Sequence, residues 1–171
     1  MKNLTEYIKE GYEYTHNLSK SEQDWVNYNK GKSEVQPKTK KELIKIINDS
    51  FEKGVYDLNF IDTSKITDMS ELFYLGVKLR KFDKSIQKSI NISDWDVSNV
   101  KDMNHMFNKC TYFNCDLSRW DVSNVKDMSY MFQFCYDLNC DLSGWNVSNV
   151  LDMRDMFYGC NKLTIPAWYK E

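Results

Sequence analysis

One segment recurs in register three times: "WDVSNVKDMNHMFNKC" at 95–110, "WDVSNVKDMSYMFQFC" at 120–135 and "WNVSNVLDMRDMFYGC" at 145–160, 25 residues apart. Repetition at a fixed period constrains the fold more than any other feature of the chain. One unit of this size cannot bury its own apolar edge, whereas units stacked on each other bury a continuous core and turn equal letters into columns. Within a unit, Trp120 and Val122 alternate around Asp121, a period of two that predicts a short strand. Met128, Met131, Phe132 and Cys135 follow at i, i+3, i+4 and i+7, which predicts a helical turn and a half. The expected fold is therefore an α/β solenoid. It is a right-handed stack of about four coils, with parallel strands on one face and short helical turns on the other.

The fourth coil is a degenerate one, "IDTSKITDMSELFYLG" at 61–76, followed by extra residues in "RKFDKSIQKSI" at 80–90 that should bulge as a loop. The first third is not repetitive and reads as helical. "NLTE" and "TKKE" are capping boxes, the second opening a helix that Gly54 stops, with Leu43, Ile46, Ile47 and Phe51 near one face. The expected organisation is a helical N-terminal appendage at 1–38, a capping helix at 39–54, the repeats at 55–162 and a C-terminal cap at 163–171. In that cap Ile165 and Trp168 should cover the last coil.

The pattern Leu142, Trp145, Val147, Val150, Met153, Met156, Phe157, Cys160, Leu163 resembles the BspA-like repeat, a relative of the leucine-rich repeat found in bacterial surface proteins and mycoplasma lipoprotein-like proteins. The resemblance covers residues 55–165. It implies a leucine-rich-repeat-like coil stack whose strand face binds a protein partner, and it brings in a cell-surface adhesin as an alternative function.

Four groups of residues are candidates for chemistry. Asp68, Asp102, Asp127 and Asp152 precede the Met that opens each helical turn, so they are expected as N-caps. Asp62, Asp96, Asp121 and Asn146 lie between inward strand residues and point outward, with Ser98 and Ser123 two residues on and Arg119 nearby. Like charges in a row favour a basic partner patch or a cation, and these seven residues are the expected partner-binding face. Cys110, Cys135 and Cys160, with Cys115 and Cys140, occupy repeat positions that suit packing better than a zinc site. His105 is expected at the surface. No phosphate-binding glycine loop or nucleophile elbow is present, so neither an enzyme nor a cofactor is expected. A metal-stabilised or catalytic domain is the remaining alternative.

Charge narrows the partners. Lys and Arg number 23 against 25 Asp and Glu, so no basic face for nucleic acid is expected. No apolar run approaches the roughly 20 residues of a membrane span. The N-terminal segment has no secretory signal pattern, which makes the cytoplasm the expected location. Self-association through the edge of an end coil is a further possibility.

Overall fold

The computed structural model describes residues 35–170. The helices expected before residue 35 lie outside these residues. Helix α1, Lys40–Phe51, begins at Thr39, whose Oγ1 accepts from the Glu42 amide at 3.2 Å, while Glu42 reaches back to the Lys38 amide at 2.7 Å. Reciprocal capping and an apolar face of Leu43, Ile47 and Phe51 are what "TKKE" foretells. Gly54, at φ 74, ends the turn after it. The helix lies over the first coil, where Ile44 packs against Gly76 so closely that a Cβ there would come within 2.8 Å of its Cδ1.

The repeats do stack in register. Each segment hydrogen-bonds to the equivalent segment of the next copy, through the parallel bridges Asp68–Asp102, Asp102–Asp127 and Asp127–Asp152. The elements inside a coil are not those expected, however. Among the described residues there is no strand, only isolated bridges, and the "Met-x-x-Met-Phe" segments of the three full repeats are not helical. Among the described residues regular helix is limited to α1, a π turn at Leu72–Gly76, a 3-10 turn at Leu79–Lys81 and α2, Lys84–Ser89. The α/β solenoid of strands and helical turns is thus corrected to a stack of turns.

The reason lies in how the amides divide. From Met103 to Lys109 every second amide leaves its coil: Met103 donates to Asp127 O, His105 to Ser129 O, Phe107 to Met131 O and Lys109 to Gln133 O, at 2.8–3.0 Å. The amides between them close turns within the coil, Met106 to Met103 O, Asn108 to His105 O and Cys110 to Phe107 O. Tight turns bring residues three apart onto one side, which imitates helical spacing in the sequence. A helix would use all these amides internally and leave none for the neighbour. The arrangement needs left-handed residues at two positions per coil. His105, Tyr130 and Asp155 occupy one, with Glu71 as their counterpart; Lys109, Phe134 and Gly159 occupy the other, at φ 59, 62 and 82. A left-handed non-glycine residue is disfavoured by roughly 1–2 kcal/mol, and glycine gives back about 0.5–1 kcal/mol in chain entropy. Lys109→Gly should therefore leave stability unchanged or raise it by up to about 1 kcal/mol in chemical denaturation. A helical Lys109 would make the same change destabilising by about 1 kcal/mol.

Alignment puts like side chains in the core. Phe73, Phe107, Phe132 and Phe157 form a column with successive ring centroids at 5.1, 5.4 and 6.0 Å and nearly parallel planes. Trp95, Trp120 and Trp145 are buried beside it. Each indole N–H donates to the coil before, to Leu58 O, Ile92 O and Leu117 O at 3.0–3.2 Å, which gives a buried polar group its partner. Trp168 extends the row by donating to Leu142 O at 2.8 Å and stacking on Trp145 at 6.3 Å. Ile165, expected to share that covering role, is instead exposed.

The extra residues after the first coil do not bulge as a loop. Asp83 caps α2 by accepting from the Ile86 amide at 3.0 Å. The helix then lies against the stack. Gln87 is buried, and its Oε1 accepts from the Tyr112 amide at 3.1 Å. Lys88 reaches Asp137, in a later coil, at 3.4 Å.

Candidate interaction face

Every full coil turns at aspartates or asparagines followed two residues later by a free amide. Asp96 Oδ1 accepts from the Ser98 amide at 3.0 Å and its hydroxyl at 2.6 Å, Asp121 from the Ser123 amide at 3.0 Å, and Asn146 from the Ser148 amide at 3.2 Å. The side chain substitutes for a backbone acceptor and fixes the turn. The Asp116–Ser118 and Asp141–Ser143 pairs do the same at a second corner, both at 2.9 Å. At a third, Asp102, Asp127 and Asp152 accept from Asn104, Ser129 and Arg154 at 2.8–3.1 Å. The expected helix N-caps are therefore Asx-turn acceptors, with no helix behind them in the three full repeats.

The structure brings part of the expected binding face together. Asp96, Asp121 and Asn146 are exposed and share one column, with Ser98 and Ser123 half-buried beside them. Asp62 is half-buried, because Gln36 covers it with an Nε2 donation at 2.6 Å. Arg119 does not join the row; it pairs with Asp94 of the preceding coil. What the sequence reading missed are Asn99, Asn124 and Asn149. Their amides donate to Ser64 O, Ser98 O and Ser123 O at 2.9, 2.8 and 2.7 Å, stitching each coil to the one before along this same face. The signal was available in the "SN" common to all three copies.

The carboxylates differ in charge environment. Asp68 is answered by Lys40 at 2.9 Å, Asp152 by Arg154, and Asp137 by Lys162, whereas neither Asp96 nor Asp121 is in an ion pair among the described residues. The Ser123 hydroxyl and amide hold the Asp121 carboxyl below its ordinary range. Asp62 is also lowered: burial acts against it, but donations from Ser64 and Gln36 outweigh that. Asp102 goes the other way. Burial raises it, the Asn104 amide opposes this, and the Asp127 and Asp68 carboxylates add to the rise.

The signs of these shifts set opposite pH behaviour. A lowered carboxyl such as Asp121 contributes stability above its unfolded value of about 3.9, lost as pH falls through the folded value. A raised one such as Asp102 opposes folding when ionised, and that penalty is relieved as pH falls. Asp102→Asn keeps the turn acceptor and removes the charge. It should raise stability at pH 7 by up to about 1 kcal/mol after solvent screening, and thermal melts should show the gain shrinking towards pH 4.

The thiols offer little chemistry at neutral pH. No disulfide links the five cysteines. Burial pushes Cys115 and Cys140 up to about 11 and Cys160 to about 12, and it raises Cys135 well above the ordinary thiol range. The Cys135 and Cys160 thiols donate to Phe107 O and Phe132 O at 3.0 and 3.1 Å, which makes them part of the inter-coil packing. His105 is half-buried rather than at the surface, stacked between Tyr74 and Tyr130 at 6.0 and 4.6 Å. Among the described residues no helix is long and apolar enough to cross a membrane.

A family model described as "Mycoplasma protein of unknown function, DUF285" matches residues 42–168, which takes in most of α1, every coil and Trp168. The chain belongs to the DUF285 family. Neither the curated proteins nor the solved structures contain a match. The DUF285 match starts inside α1, so most of the helix that covers the first coil, with its apolar face of Leu43, Ile47 and Phe51, lies within the matched residues.

Proposed function

We propose that this DUF285 protein is a non-enzymatic protein-interaction module that presents the Asp62, Asp96, Asp121 and Asn146 row, with Ser98 and Ser123, to a basic surface of a protein partner. The observation that carries the reading is charge left uncompensated on a fixed lattice. Asp96 and Asp121 are exposed carboxylates in one column, held in place by their own turns, and not by a lysine or arginine. Regular spacing of unpaired charge favours a partner of opposite sign and steers its approach. The resemblance of the repeats to BspA-like proteins points the same way, towards binding. Arg119, tied to Asp94, sits at the margin of this surface.

Asn146 supplies the natural control, since it makes the same turn without charge. The double variant Asp96→Asn, Asp121→Asn should keep the fold to within about 0.5 kcal/mol. Affinity recovery from a mycoplasma lysate should lose its salt-sensitive partners with that variant. Recovery of the same proteins in the same amounts by both forms would remove this face as the binding surface.

A further inference from the structure

We propose that the C-terminal end of the stack is a second docking site, which takes an extended polypeptide segment as an additional coil. Each interior coil sends alternate amides onward: Met128 to Asp152 O, Tyr130 to Arg154 O, Phe132 to Met156 O and Phe134 to Tyr158 O. In the last coil the equivalent donors are Met153, Asp155, Phe157 and Gly159, and among the described residues they meet no backbone acceptor. The other amides of that coil keep their turns, Arg154 to Asp152 Oδ1, Met156 to Met153 O, Tyr158 to Asp155 O and Cys160 to Phe157 O. The donor row is therefore already in the conformation that engages a neighbour.

The side chains agree. Val122, Val125 and Met128 are at most 1% exposed, yet their counterparts Val147, Val150 and Met153 are only half-buried. Leu151 is 85% exposed at the position held by Lys101 and Lys126 in the coils before it. The rings of the cap cover the Trp145 and Phe157 side chains, on which Trp168 and Tyr169 pack, and leave Val147, Val150 and Leu151 to the incoming segment, which meets Phe157 through its backbone amide.

Hydrogen-bond polarity selects the occupant. A second copy related by a two-fold axis would set donors against donors. A head-to-tail copy would need the acceptor end of the first coil, but α1 covers that end and Lys40 Nζ already donates to Ser70 O at 3.0 Å. What fits is a segment running parallel to the edge, with carbonyls at every second residue and apolar side chains over Val147, Val150 and Leu151. This is the contact each coil makes with the next, and it is strand addition in its hydrogen-bond logic. The site is separate from the Asp96–Asp121 face and does not depend on it.

The probe is a capped synthetic peptide copying residues 121–135 of this chain, with serine for Cys135, so that it carries Val122, Val125 and the accepting carbonyls of Asp127, Ser129, Met131 and Gln133, titrated into the full-length 15N-labelled protein. Saturable binding should shift the amides of Met153, Asp155, Phe157 and Gly159 together and slow their exchange. Leu151→Lys, which restores the residue type of the other coils at an exposed position, should weaken binding about tenfold. Three outcomes would each overturn the proposal. They are no saturation at millimolar peptide, binding that leaves those four amides unmoved, and peptide-independent dimerisation in sedimentation that Leu151→Lys abolishes.

Discussion

Phe107→Ala is expected to destabilise the protein by about 3–5 kcal/mol, seen as a lower denaturation midpoint with little change in slope. The ring is fully buried at the centre of the column, 5.1 Å from Phe73, 5.4 Å from Phe132 and 4.3 Å from Phe113. It is surrounded by rings from three directions, so collapse cannot fill the space and the cavity term stays large. Against a typical total of about 5–15 kcal/mol, this single truncation puts the fold near its limit. Phe107→Leu retains much of the volume but loses the stacking, and its effect should be about half as large.

The second large effect is expected at Gly159, where valine should destabilise by about 2–4 kcal/mol. Two physical terms add. The backbone there has φ +82, which β-branched side chains strongly disfavour, and a Cβ would sit 3.0 Å from Phe134 Cδ1 and 3.4 Å from its Cα. Phe134 also packs edge-on against Tyr136 and Tyr158 at 6.2 and 5.4 Å, contacts that a shift of its ring would disturb. Thermal melts of Gly159→Ala and Gly159→Val should rank glycine, alanine, valine in falling stability.

The columns were legible in the sequence because a fixed period leaves little freedom. Trp95, Trp120 and Trp145 had to align, and the same spacing carried the Phe and Met rows into the core. The capping box at Thr39 and Glu42 was equally readable, since its hydrogen bonds are local. The conformation inside a coil was not legible. Met103, Met106, Phe107 and Cys110 have the spacing of a helix, yet chained turns put the same residues inward. The deciding feature is left-handed backbone at His105 and Lys109, which neither residue type announces. Tertiary pairing with Ser129 and Gln133 supplies what local preference withholds.

The candidate face was half legible for a related reason. Asp96 and Asp121 were placed outward by alternation, and they are outward. Their attachment to Ser98 and Ser123 as turn acceptors follows from the "D-V-S" spacing, which suits an Asx turn as well as a strand. Arg119 could not be placed, because its partner Asp94 lies one coil away. Gln36 over Asp62 was beyond reach too, since it joins residues from outside the repeats.

Alternate amides of every coil but the last bond to the next coil and not to their own. Through-hydrogen-bond scalar coupling on a 13C,15N,2H-labelled sample reads this directly. The Phe107 amide nitrogen should couple to the Met131 carbonyl carbon, and the His105 nitrogen to that of Ser129. Coupling of Phe107 to the Met103 carbonyl, four residues back, would instead place this segment in a helix and contradict the account.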